Sequence, residues 1–412
     1  MILNRRAFLA AATLGPGLLT SPRRVAGDDN PGPGDAPDSW TKADLPTPAL
    51  LLDLDAFEAN LKTLAAQCQR SGCGARPHAK THKCPEIARR QVAAGALGIS
   101  VATVSEAEAM AAGGIPSILL TSPILDPRKI ARMAALAKAG TEVLLAVGHP
   151  REMQLLAEAA EAGQVTLDVL LDLDVGDGRF GIPPGEPALD LARMAAKSKH
   201  LRLRGIQAYS GLSSHVVGFE ARDRSSRAAM GKAIAMREQL EKARLGAGIL
   251  SGGSTGTYNI DSTISGVTEL QVGSYVFMDV GYRRIGSQDG SPTYTDFRPS
   301  LTVLTTVVSA SHPDRVTVDA GIKAFSTDTS DAPEAKDWPG LTYRRFGDEF
   351  GLITAAPGAR LPRLGDRLEF YVPHCDPTVN LYDRLYAMRG DRVEAIWPIT
   401  ARREFRGENL RV

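Results

Sequence analysis

The chain has 412 residues, 43% of them hydrophobic, with 48 basic against 47 acidic side chains for a net charge of +1. That length allows two domains and a large core, while the even charge balance excludes an electrostatic case for nucleic acid or an anionic membrane as partner. The four cysteines, Cys68, Cys73, Cys84 and Cys375, have neither zinc-finger spacing nor the pattern of a disulfide framework.

At the N-terminus, Arg5-Arg6 precedes an apolar run from Ala7 to Leu19. The run is too short for a stable membrane anchor and fits a secretory h-region behind a charged n-region. Its Arg-Arg-x-Phe-Leu pattern resembles a twin-arginine export signal. The expectation is a signal peptide over residues 1–27 and a periplasmic destination, or a cytoplasmic one if the signal is not used. Residues 28–43, rich in Asp, Gly and Pro, read as a disordered linker.

Ala49 to Leu52 reads as a short buried strand. Asp55 opens a helix whose apolar stripe, Phe57, Leu61, Leu64 and Cys68, stops at Gly72. Apolar runs then alternate with Ala- and Glu-rich helical stretches. Eight strand candidates follow: 75–80, 97–102, 116–121, 141–147, 166–173, 203–209, 247–251 and 269–277. Continuous apolar runs such as Val169-Leu170-Leu171 suit a parallel sheet covered by helices. Eight such units predict a (β/α)8 TIM-like barrel over 44–290, with an open doubly wound sheet as the alternative. From about residue 291 short alternating strands and Gly/Pro turns predict a second, C-terminal all-β domain to residue 412.

A barrel builds its site at the C-terminal ends of its strands, and the unusual clusters fall there. Arg76-Pro77-His78-Ala79-Lys80-Thr81-His82-Lys83 follows the first strand. A lysine there, desolvated beside other cations, has a lowered pKa and can form a Schiff base; a solvated basic loop is the plainer reading. Arg179 follows the fifth strand and Tyr209 ends the sixth. After the seventh comes Gly252-Gly253-Ser254-Thr255-Gly256, whose glycines and hydroxyls suit a phosphate. Asp279 closes the eighth. In the second domain His374 and Asp376 stand two apart. In an extended segment they point the same way and offer a divalent ion two ligands, with open positions for water.

The octapeptide around Lys80 resembles the cofactor-lysine motif of the D-threonine aldolase / D-serine dehydratase family. These are pyridoxal-phosphate enzymes with an alanine-racemase-like barrel, and the resemblance extends over roughly residues 45–400. It implies that Lys80, rather than Lys83, is the Schiff-base lysine. Gly253, Ser254 and Thr255 hold the cofactor phosphate with help from Tyr209, and Arg179 lies at the pyridoxal ring. Asp279 joins the cofactor-binding set, and His215 is a catalytic base. His374 and Asp376 match the family's metal pair, Mn2+ being favoured over Mg2+ or Zn2+. Dehydratase members tend to carry His-x-Cys and aldolases His-x-Asp, so Asp376 leans towards cleavage of a D-β-hydroxy-α-amino acid to glycine and an aldehyde. The alternatives are a D-serine or D-3-hydroxyaspartate dehydratase using the same site, and an exported cofactor-binding protein without turnover. A homodimer is also implied. Leu212 stands where relatives often have histidine, and Asp319, Lys323 and Asp328 also look typical of the family, their expected role being structural support around the site.

Overall fold

The computed structural model describes residues 34–35 and 39–402. The expected signal peptide lies outside the described residues. Part of the stretch read as linker is ordered. Gly34–Asp35 (β1) pairs with a strand near the C-terminus, and Lys42 donates its backbone N–H to Asp391 at 2.9 Å. Backbone pairing here overrides a composition that suggests disorder.

After β2 (Ala49–Asp53), Asp53 caps α1 (Leu54–Ser71) by accepting from Ala56 N–H at 3.1 Å. The barrel strands are β3 (Gly74–Ala75), β4 (Ile99–Val101), β5 (Ser117–Leu120), β6 (Glu142–Val147), β7 (Leu167–Asp172), β8 (Leu201–Ala208), β9 (Ile249–Gly252) and β10 (Glu269–Leu270). The helices between them are α2 (Pro85–Ala93), α3 (Val104–Ala112), α4 (Pro127–Lys138), α5 (Pro150–Gly163), α6 (Glu186–Lys197), α7 (Gly211–Ser214), α8 (Phe219–Lys242) and α9 (Tyr258–Asp261), with α10 (Val280–Arg283) after the last strand.

Every neighbouring pair is parallel, in the order β3-β10-β9-β8-β7-β6-β5-β4. A parallel bridge between His78 and Ser100, with Leu97 N–H donating to Ala75 and Ser100 N–H to Pro77, both at 2.8 Å, closes the ring. All eight expected strands exist. The first and last are shorter than expected, because the chain turns into tight 3-10 turns at Ala79–Thr81 and Ser274–Val276.

Alternate residues of a strand face opposite sides, and here the two sides differ in kind. Ile118, Leu120, Val143, Leu145, Val169 and Leu171 join the main core beneath the helices. Their neighbours Leu119, Leu144 and Leu170 form a small separate cluster. Below it Ser117 bonds Glu142 at 2.6 Å, and Arg202 bonds Asp168 at 2.6 Å. Above it Gln207 donates to Asp172 at 2.8 Å, and Gln271 donates to Gln207 and Ser251. The interior is therefore layered: ionic at the N-terminal ends, apolar in the middle, neutral and polar at the mouth.

The second domain contains β11 (Leu301–His312), β12 (Arg315–Val318), β13 (Glu334–Ala335), β14 (Leu341–Arg345), β15 (Gly351–Ala355), β16 (Arg367–Tyr371), a short helix α11 (Cys375–Val379), β17 (Arg384–Arg389) and β18 (Arg392–Pro398). β2 lies between β11 and β17 in this sheet, so the domain takes strands from both ends of the chain. Asp319 is structural: it accepts from Thr306 N–H at 2.7 Å and from the Thr47 hydroxyl. Lys323 pairs with Glu349 on the surface. Among the described residues no helix is long and apolar enough to cross a membrane.

Candidate active site

Lys80 sits in the 3-10 turn immediately past the barrel wall, one step beyond the strand end expected for it. His78 caps the turn, its Nδ1 accepting from Lys80 N–H at 3.3 Å. The Lys80 ammonium is paired with the Asp376 carboxylate at the start of α11. This reverses the expected sign of its pKa shift. Burial pulls the lysine down, but the Asp376 carboxylate outweighs it and holds the pKa above the ordinary lysine value. Burial likewise raises Asp376, but Lys80 and then His374 overcome it and hold the carboxyl far below the usual range. The neighbouring imidazoles are not cations. Burial lowers His78 well below its ordinary value and His82 to about 4. Lys83 faces elsewhere: its backbone is left-handed at φ 51°, and its ammonium pairs with the buried Glu106.

Arg179 and Tyr209 share a chamber of about 140 Å³ with Lys80, His78, Thr121 and Gln271. The Arg179 guanidinium lies 4.2 Å from the Phe180 ring centroid and 5.8 Å from that of Tyr209. The phosphate-type loop adjoins it. Ser254 and Thr255 line a cleft with Lys80, Tyr209, Gly273 and Ser274. Gly253 has φ +72°, and a Cβ there would also come within 2.9 Å of Asp261. A Cβ on Gly273 would meet Thr81 Oγ1 at 2.7 Å. Thr255 Oγ1 accepts from Tyr275 N–H at 3.0 Å, tying the loop to the turn after β10. Glycines at close approach, hydroxyls and a lysine on one cleft fit pyridoxal phosphate.

His215 ends α7 and packs on Tyr282, ring centroids 4.4 Å apart. Asp279 differs from expectation. Its oxygens accept from Tyr282 N–H at 2.9 Å and from Cys375 N–H at 3.1 Å, so it joins the barrel to α11 instead of lining the cofactor cleft. His374 and Asp376 do not alternate along an extended segment. His374 caps α11 and Asp376 lies in its first turn. His374 Nδ1 is 2.6 Å from Asp328 Oδ2. Among the described residues no cluster of three His, Cys, Asp or Glu side chains is shaped to hold a metal. The pair itself supplies one nitrogen and one hard oxygen, which fit a divalent ion completed by water.

Several residues here had no motif to mark them. Gln207 near the end of β8 and Gln271 just after β10 are polar residues beside apolar neighbours at the barrel mouth, a signal that inward parity could have caught. Arg222 had none. Fully buried on α8, it donates to the carbonyls of Gly256 at 2.7 Å, Val216 at 2.9 Å, and Ile285 and Gly286 at 2.8 Å. One guanidinium thus ties the phosphate-type loop to the His215 loop and to the chain after α10.

A parallel barrel with a lysine at its mouth, faced by a mainly antiparallel domain, is an alanine-racemase-like architecture, and known proteins agree. The model of the alanine racemase N-terminal domain matches residues 52–280, and that of a serine dehydratase domain matches 300–388. The D-threonine aldolase of an Arthrobacter species is 38% identical over 372 residues, 90% of this chain and 96% of that protein. The 3-hydroxy-D-aspartate aldolase of Paracoccus denitrificans is 35% identical over 363 residues, 88% and 93%. The crystal structure of D-threonine aldolase from Filomicrobium marinum superposes with a TM-score of 0.84 at 36% identity, covering 89% of this chain and 99% of that one. The chain belongs to the D-threonine aldolase / D-serine dehydratase family of alanine-racemase-like lyases.

Asp172, bonded to Gln207 of the chamber wall, gives a test of the buried electrostatics. Burial pushes it up to about 7 from 3.8, against the Gln207 hydrogen bond. The folded chain therefore keeps a proton that the unfolded chain releases. That contribution is complete below pH 3.8 and is lost as pH rises to about 7. Asp172→Asn keeps the shape without the charge. Its stability relative to the parent should rise between pH 5 and pH 8 by on the order of 2 kcal/mol. Thermal unfolding at both pH values checks this; an equal difference at the two would refute it.

Proposed function

We propose that the chain is a pyridoxal-phosphate- and divalent-metal-dependent aldolase that cleaves D-β-hydroxy-α-amino acids of the D-threonine kind to glycine and an aldehyde. The observation that carries this reading is the contact of Lys80 with Asp376: the cofactor lysine and a metal donor, from different domains, meet at one point. The names of the aldolase relatives support the substrate class. When bound, pyridoxal phosphate supplies a sink for the electron pair of the breaking Cα–Cβ bond, and the ion, Mn2+ first, supplies a Lewis acid.

The chain's own groups do the rest. Lys80 would hold the cofactor. Ser254, Thr255 and the Gly253 backbone hold the phosphate, with Tyr209 beside them, and Arg179 lies at the pyridine ring. His374 and Asp376 hold the ion, which requires Asp376 to release Lys80. His215 takes the β-hydroxyl proton, its ring oriented by Tyr282. Asp279 and Arg222 keep these elements in register.

The serine dehydratase match over 300–388 carries a second reading, in which Lys80 removes the α-proton and ammonia is the product. The hard oxygen of Asp376, where a thiolate would favour zinc, argues for the aldolase.

D-threonine with pyridoxal phosphate and Mn2+ should yield glycine, and chelation should stop it. Ammonia without glycine would replace the aldolase with the dehydratase, and neither product would defeat both. Lys80→Ala should lose the visible absorbance of the attached cofactor, and Lys83→Ala should keep it; the reverse would overturn the assignment.

We also propose that the protein is exported folded to the periplasm by the twin-arginine route and works as a homodimer, as the N-terminal pattern and the family resemblance suggest. Replacing Arg5-Arg6 by Lys-Lys should retain the protein in the cytoplasm. Unchanged periplasmic fractionation would refute the route, and sedimentation as a single chain would refute the dimer.

A further inference from the structure

His374 is held twice by one segment of the second domain. Its backbone N–H donates to Ser326 Oγ at 3.1 Å, and its ring Nδ1 lies 2.6 Å from Asp328 Oδ2. Ser326 and Asp328 are two residues apart in the chain, so one short stretch grips both the main chain and the ring. The stretch is itself fastened. Ser326 N–H donates to Thr378 Oγ1 at 3.0 Å, and that hydroxyl donates to the His374 carbonyl at 2.8 Å. Arg345 donates to the carbonyls of Ser326 and Asp331, both at 3.0 Å. The ring makes no capping bond to α11, and among the described residues it is Asp328 that sets its orientation through Nδ1.

We infer that Asp328 is the positioning residue of the metal centre, a role that rests on the proposed binding of the ion by His374 and Asp376. A neutral imidazole has one N–H and one lone pair, and the bond made by one nitrogen decides which is which. With the Asp328 carboxylate accepting from Nδ1–H, the lone pair is fixed on Nε2. The carboxylate also makes that nitrogen a better donor. The same bond keeps the ring from turning on its own χ2 axis. Asp328 is thus not a ligand. It acts on the ion through His374, and its removal should weaken binding without touching Lys80 or the phosphate-type loop, which lie on the barrel.

Chelator-treated holoenzyme titrated with Mn2+, with free ion counted by its paramagnetic resonance signal, tests this. Asp328→Ala should weaken Mn2+ binding about 10- to 100-fold. Asp328→Asn keeps an acceptor oxygen and should recover part of the loss, which a general loosening of the segment would not allow. Both should retain the visible cofactor absorbance of the parent. Binding by Asp328→Ala within about twofold of the parent would overturn the proposal, as would a loss as complete as that of His374→Ala, which would make Asp328 a ligand. His374→Ala also separates the two levels of the argument. Unchanged Mn2+ binding in that variant would remove the metal reading itself, whereas a loss there with none in Asp328→Ala would remove only the positioning role.

Discussion

The ion pair between Lys80 and Asp376 is the contact on which the site depends, because it exists only when two separately built domains are correctly seated. Lys80 rides on a turn of the barrel wall, and Asp376 on the first turn of a short helix in the second domain. A helix of five residues has little stability of its own. It is placed from outside: Asp279 receives Cys375 N–H from the barrel side, and Ser326 receives His374 N–H from its own domain. The pair is largely shielded from water on the Asp376 side, so breaking it from one side leaves a poorly solvated charge, whereas replacing each partner by a new ligand does not. A site that takes both an aldehyde cofactor at the lysine and a cation at the carboxylate supplies those replacements together.

The barrel prepares the other half of the arrangement by a change of chemistry along its axis. Ionic pairs fill its N-terminal end, leucines its middle, and amides and hydroxyls its mouth. Glutamines suit the last layer because each amide both donates and accepts, so Gln271, Gln207 and Asp172 form a chain that leaves few orphaned groups. Arg222 does comparable work outside the barrel. Its four carbonyl partners belong to three loops with no regular structure to hold them to one another, and a buried guanidinium is rigid enough to serve all three.

Much of this was legible in the sequence, for reasons that can be named. The eight strands were visible because parallel strands covered by helices are nearly continuous apolar runs. The order of the clusters was visible because a barrel puts every strand's C-terminal end at one mouth. What failed depended on partners distant in sequence. Local reasoning from the cationic neighbours of Lys80 predicts a lowered pKa. Those histidines are neutral when buried, and the decisive charge is Asp376, 296 residues away. His374 and Asp376 were expected in an extended segment because period-two spacing is the simplest way to bring two side chains together; a helix start brings in different partners, Asp328 and Lys80. Asp279 was grouped with the cofactor for its place at the mouth, and only the fold reveals that both its oxygens serve backbone N–H groups.

The groups lining the mouth divide into those neutralised by burial, those matched by a partner and those left charged. Asp172 is pushed up to about 7 by burial, and His78 is held neutral. Asp376 is matched by Lys80, and Arg179 lies over aromatic rings, with no carboxylate bonded to it among the described residues. Setting the matched pair aside leaves the Arg179 guanidinium with the Asp174 and Asp177 carboxylates on the cleft beside it, the backbone and hydroxyls of the Gly253–Thr255 loop, and neutral amides. The phosphate-type loop offers an anion its backbone and hydroxyls without an arginine or lysine of its own. Backbone N–H groups at glycines can approach a dianion closely and need no reorganisation to do so. On the proposed reading Lys80 would then be free to bond the cofactor, the loop rather than the lysine answering the phosphate's charge.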